Sequence, residues 1–133
     1  NEIASLKKDY PDEFVIAGQI GTYYVCFNVN SDLLPGVELD AVAKEKAQQE
    51  IRNALALLFD RNYIVEDVAQ GGQLPASSFV AMGMTDADGN EFYKNAGDND
   101  FVGYYDVSED AFSANCAKAI EVLTKYYSNI KAN

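Results

Sequence analysis

The residues best equipped for chemistry in this chain are the aspartates of Asp86-Ala87-Asp88-Gly89-Asn90, the pair Ser77-Ser78, and Cys26 and Cys116. A calcium loop of the EF-hand type needs oxygen ligands at its first, third and fifth places, a glycine at the sixth and a glutamate at the twelfth. Counted from Asp86, the sixth place is Glu91 and the twelfth is Gly97. The register fails, and an Asp-Gly turn is the expectation. Neither serine has a base to activate it, because the chain contains no histidine and no serine–lysine spacing stands out. The cysteines lack the same partner. Paired carboxylates can do acid–base work, but among 21 acidic residues a pair selects nothing. Gly71-Gly72 follows a predicted helix, whereas a phosphate cradle precedes one. The residues point to a protein that is not an enzyme, with no metal and no cofactor.

Charge narrows the partners. Ten Lys and Arg stand against 21 Asp and Glu, a net charge of −11. Such a surface repels phosphate backbones and anionic head groups, which argues against nucleic acid and peripheral membrane binding. Acidic residues such as Asp98, Asp100 and Asp106 to Asp110 read as a solubility coat. A hydrophobic content of 48% and a charged content of 23% are those of an ordinary globular chain. The length suits a single domain over residues 1–133, burying roughly two thirds of its unfolded surface. Cys26 and Cys116 allow one disulfide, with two buried free thiols as the equal alternative. No apolar run approaches the ~20 residues that span a bilayer. Asn1 opens without the charged and apolar regions of a signal peptide.

These residues need elements to position them. Residues 1–9 suit a short helix with Ile3 and Leu6 on one face, stopped by Pro11. From Phe14 the pattern changes to that of a strand: Tyr23, Val25, Phe27 and Val29 alternate with Thr22, Tyr24, Cys26, Asn28 and Asn30. The first set is the expected core face, and the second is polar enough to look into a cleft. Asn30-Ser31-Asp32 and Pro35-Gly36 are turn signals. Leu39, Val42, Ala43, Ala47, Ile51, Ala54, Leu55 and Leu58 recur at spacings of three and four, which predicts an amphipathic helix. Asp60 suits the N-cap of a second helix carrying Arg61, Tyr63, Ile64, Val65 and Val68, which Gly71-Gly72 would end. Residues 70–107 show no long periodic run; Phe79, Val80, Met82 and Met84 are the residues able to pin them, with short strands near Phe101-Val102 and Tyr104-Tyr105. Ser108 is the expected N-cap of a last helix, whose face is Phe112, Cys116, Ala119, Ile120, Leu123 and Tyr127. The expected fold class is α/β (α+β), a small sheet around residues 14–29 covered by helices at about 39–58, 61–69 and 109–127.

One ordered set of residues carries a resemblance. Gly21-Thr22-Tyr23-Tyr24-Val25-Cys26-Phe27-Asn28 is followed by Arg52…Ala54-Leu55, Asp60-Arg61, Ile64-Val65 and Gly72-Gln73-Leu74-Pro75-Ala76…Phe79. That order and spacing, over roughly half the chain, resembles the second lobe of bacterial oligopeptide-binding proteins. These are the extracellular solute-binding proteins (family 5) that serve peptide ABC transporters. The chain departs from the pattern in two places: Val80-Ala81-Met82-Gly83 stands where a double proline is common, and Lys125-Tyr126-Tyr127-Ser128 replaces a Gly-Tyr turn.

The resemblance implies a type II periplasmic-binding-protein-like lobe, present here as a piece of a longer receptor. It implies capture of oligopeptides for ABC-transporter import, with a membrane permease as partner of the full-length receptor. It also implies an extracellular or periplasmic location, with the parent lipid-anchored as a lipoprotein. Receptors of this kind close on an extended peptide and bond its main chain, which gives affinity without reading side chains. The strand from Thr22 to Asn28 resembles one near that cleft, so Thr22 and Tyr24 are the candidate ligand-binding residues. Asp60 and Arg61 match an Asp-Arg pair and read as a cap and an ion-paired scaffold. The alternative is a self-contained, non-enzymatic protein-interaction module at the cell surface. The two differ in whether an orphaned apolar face should be exposed.

Overall fold

The computed structural model describes residues 2–92 and 103–128. Its elements are α1 (Glu2–Asp9), α2 (Ala41–Leu57), α3 (Arg61–Tyr63), which widens into a π-helical turn at Ile64–Ala69, and α4 (Ala111–Leu123). The chain divides into two compact units: Asn1–Tyr24 with Arg61–Val107, and Val25–Asp60 with Ser108–Asn133.

The second unit holds every buried side chain among the described residues. α2 forms because its apolar residues repeat at helical spacing and because Asp40 caps it. One carboxylate oxygen of Asp40 accepts from the N–H groups of Val42 at 3.1 Å and Ala43 at 3.0 Å, two donors that the helix itself leaves unmet. α2 packs against α4, and the shared core is Leu34, Ala47, Ile51, Ala54, Ala119 and Leu123. Three alanines in that group let the two helices approach closely, and Ile51, 1% exposed, fills the centre. Gln48 is the buried polar residue among the described residues. Its carbonyl oxygen accepts from the Leu33 N–H at 2.9 Å, so its burial does not leave that group unmet.

α4 begins differently from the expectation. Its N-cap position is Asp110, which makes no side-chain cap bond, and Ser108 accepts from the Ala111 N–H through its backbone carbonyl at 3.1 Å. At the other end the Thr124 hydroxyl and N–H both donate to the Ile120 carbonyl at 2.9 Å. Cys26 is exposed and Cys116 half-buried, both as free thiols. Of the two alternatives left open by the sequence, neither a disulfide nor a pair of buried thiols is what the structure holds.

In the first unit α1 follows the predicted span, and the Tyr10 and Phe14 N–H groups extend its bonding past Asp9. The helix at 61–69 is present, but its end is not made by Gly71-Gly72. Gln70 takes the left-handed conformation (φ 55°) and donates its N–H to Val65 at 2.9 Å. A five-residue span closes that bond, which suits the wider π turn before it. Asp86 closes the expected Asp-Gly turn. Its carboxylate accepts from the Asp88 N–H at 3.0 Å and the Asn90 N–H at 2.8 Å, and Gly89 has φ 83°. Beyond it Thr85 and Glu91 make one antiparallel bridge.

The sheet expected around residues 14–29 is not seen among the described residues. Residues 14–28 carry no regular secondary structure, and residues 15–27 make no hydrogen bond there. Tyr23, Val25 and Val29 of the expected core face are 97%, 64% and 61% exposed. Alternation gives a strand its two faces but cannot supply the neighbour that completes its ladder. Phe101-Val102, Asp98 and Asp100 lie outside the described residues. No helix among those described is long and apolar enough to cross a membrane.

Candidate functional site

Thr22 and Tyr24 both belong to the first unit. Thr22 is half-buried, and Tyr24 is 63% exposed. The loop that leaves the π turn lies beside this segment. A Cβ on Gly72, whose φ is 84°, would stand 3.0 Å from a methyl of Ile16, and one on Gly83 (φ 90°) would stand 3.9 Å from Ile20. The Tyr24 ring meets Phe79 edge-on, with centroids 5.1 Å apart and planes at 61°. That geometry sets the positive ring edge against the negative face. Phe79 is itself 62% exposed, so the pair forms an open aromatic surface rather than a core. Met82 and Met84, expected to pin the loop, are 58% and 45% exposed.

Other contacts of the same unit hold the loop's two ends. Lys7 Nζ donates to the Gln70 carbonyl at 3.1 Å and lies 5.7 Å from the Phe14 ring centroid. Gly103, with φ 102°, brings the chain so close to Ser77 that a Cβ would fall 2.5 Å from the Ser77 side chain. Tyr104 then donates its N–H to the Ser77 carbonyl at 2.8 Å. Arg61 sets its guanidinium 4.0 Å over the Tyr105 ring, a cation–π contact. Partial burial holds that guanidinium below its ordinary value, against the pull of Tyr105. Asn62 Nδ2 donates to the Val107 carbonyl at 3.1 Å. Arg61 and Asn62 thus hold the 103–107 segment, Arg61 through a ring contact.

The arrangement offers an aromatic surface beside a stretch of chain whose backbone groups make no hydrogen bond among the described residues. Within this unit the backbone of residues 15–24 is open to the main chain of an extended partner, with Tyr24 and Phe79 beside it. Among the described residues no group of His, Cys, Asp and Glu could hold a metal ion. Sequence reasoning selected Thr22 and Tyr24 but missed the pairing of Tyr24 with Phe79, whose separation along the chain leaves no periodic signal.

Comparison with known proteins adds one finding. Over 87 residues, 65% of this chain, the sequence is 32% identical to the dipeptide-binding protein DppE of Bacillus subtilis (strain 168). The match covers 14% of that protein's length. No family model matches the chain. No solved structure matches it. The chain is therefore similar to a segment of a dipeptide-binding protein, in line with the resemblance to peptide receptors carried by its motifs.

Proposed function

We propose that this chain is part of one lobe of an extracellular oligopeptide-binding receptor that captures peptides for an ABC importer and catalyses no reaction. The observation that carries the reading is the 32% identity to a dipeptide-binding protein over 87 residues. The exposed apolar side chains from Val15 to Val29 support it, because a segment taken from a larger lobe leaves such surface without its neighbours. In the whole receptor, residues 14–29 would join a small sheet of a type II binding-protein lobe, the membrane permease would be the partner, and a lipid anchor would hold the parent at the cell surface. Thr22 and Tyr24 would contact the bound peptide, with main-chain bonds giving affinity without sequence selection.

The test is a titration of the labelled chain, and of a full-length receptor containing it, with a mixed pool of short peptides. Backbone amide shifts are followed residue by residue. Saturable shifts focused on residues 22–28 are expected in the receptor and, more weakly, in the chain alone. Binding by the receptor with silence at these residues would move the site elsewhere. Silence in both would end the peptide-receptor reading.

A further inference from the structure

The first unit carries most of the chain's acidity. Over Asn1–Tyr24 and Arg61–Val107, twelve Asp and Glu stand against four Lys and Arg, so −8 of the net −11 lies there. Two of those four basic side chains already rest on aromatic rings. Lys7 Nζ lies 5.7 Å from the Phe14 centroid, and the Arg61 guanidinium 4.0 Å from that of Tyr105. Tyr24 and Phe79 belong to the same unit, meet edge-on at 5.1 Å, and are 63% and 62% exposed. No cation lies over either ring among the described residues. The segments that carry them, residues 14–24 and 68–85, contain no Lys or Arg to supply one and no Asp or Glu to hold one away.

We propose that Tyr24 and Phe79 receive a lysine or arginine side chain of the bound peptide, so that the site favours cationic peptides. The proposal rests on the peptide-receptor reading and adds a charge preference to the affinity that main-chain bonds supply there. A ring face carries negative charge density and attracts an ammonium or guanidinium within about 6 Å of its centroid. An edge-on contact engages one face of one ring, so ring face remains for such a group, and the exposure of both side chains leaves it open. The acidic unit adds a second pull, since a surface of that sign draws cations and repels anions. An aromatic or aliphatic side chain gains from the rings but not from that field. A carboxylate gains from neither. Lysine and arginine gain from both, and that selects them.

The test measures the binding of alanyl-lysyl-alanine to a full-length receptor containing this chain, beside the same peptide with norleucine or glutamate at its centre. Norleucine keeps the stem of lysine and lacks its ammonium. At low salt the lysine peptide is expected to bind roughly three- to tenfold tighter than the norleucine peptide, and the glutamate peptide most weakly. Added salt should narrow the gap. Tyr24→Leu and Phe79→Leu, each keeping an apolar side chain, should lower the lysine-to-norleucine ratio. A norleucine peptide that binds as tightly as the lysine one overturns the proposal and leaves the peptide-receptor reading standing, with the rings taking an apolar side chain instead. A full lysine preference retained by both leucine variants also overturns it, by placing the cation elsewhere. If none of the three peptides binds, the receptor reading falls and the proposal falls with it.

Discussion

The hydroxyl of Tyr127 donates to the backbone carbonyl of Leu33 at 2.8 Å, while the N–H of that same residue donates to Gln48 at 2.9 Å. One residue of a turn is thereby held from both sides, by α2 and by the chain just past α4. Leu34, 3% exposed, follows at once and enters the core. Replacing Tyr127 by Phe keeps the ring and removes the bond, so it should cost about 1 kcal/mol. Gln48→Ala leaves the Leu33 N–H without its acceptor and should cost roughly 1–3 kcal/mol. Urea unfolding checks both, as a lower midpoint at unchanged slope.

Ile51 is the largest fully buried side chain among the described residues. Ile51→Ala should destabilise the helix pair by roughly 2–5 kcal/mol, the transfer of the lost groups plus the cavity they leave. Val42, on the same helix but 81% exposed, should tolerate alanine within about 0.5 kcal/mol. Equal effects at the two positions would contradict the placement of the core.

Tyr126 donates its hydroxyl to Glu50 at 2.7 Å. That bond first, then partial burial and the charge of Glu50, pushes its ionisation above the ordinary tyrosine value. The folded state therefore holds this proton more tightly than the unfolded one. Its contribution is complete below about pH 10 and is lost as pH rises through the folded value. Stability measured from neutral to alkaline pH should show the unaltered chain converging on Tyr126→Phe at the alkaline end. Curves that stay parallel would exclude the coupling.

Asp32 titrates in the opposite sense. The Lys44 ammonium bonds it at 2.8 Å and the Leu34 N–H at 2.9 Å, and together they hold its carboxyl below the usual range. Its contribution is present above about pH 4 and is lost as pH falls through the folded value. Asp32→Asn should therefore be less stable than the unaltered chain at neutral pH and should approach it in acid. Added salt should narrow the neutral gap, since both partners reach solvent.

What the sequence reveals here follows how local each cause is. The repeat through Ala47, Ile51 and Ala54 fixes the buried face of α2 from neighbours three and four residues away. The ends of that same repeat mislead, because Val42 and Leu39 stay outside the core and are 81% and 47% exposed. The helix stop fell at Gln70 rather than at a glycine because the π turn changes which residue arrives at the last free carbonyl. Residues 14–29 show the limit most plainly. Alternation states which side chains would share a face, but a ladder depends on a distant strand that no local pattern encodes. The Tyr24–Phe79 contact is illegible for the same reason.

Gly103 carries the last prediction. Its φ of 102° is open to glycine, and a Cβ there would stand 2.5 Å from the Ser77 side chain and 2.8 Å from the Ser77 carbonyl oxygen. That oxygen is the acceptor for the Tyr104 N–H. Gly103→Ala must therefore either strain the backbone or break the bond, a local cost of roughly 1–3 kcal/mol. The first unit has no buried residue among those described, so little packing stands ready to absorb the change. The loss should appear as faster amide exchange at Tyr104, with the urea transition of the α2–α4 pair unmoved. An unaltered exchange rate at Tyr104 would show that the loop accepts a side chain there, and that Ser77 is not held by this close approach.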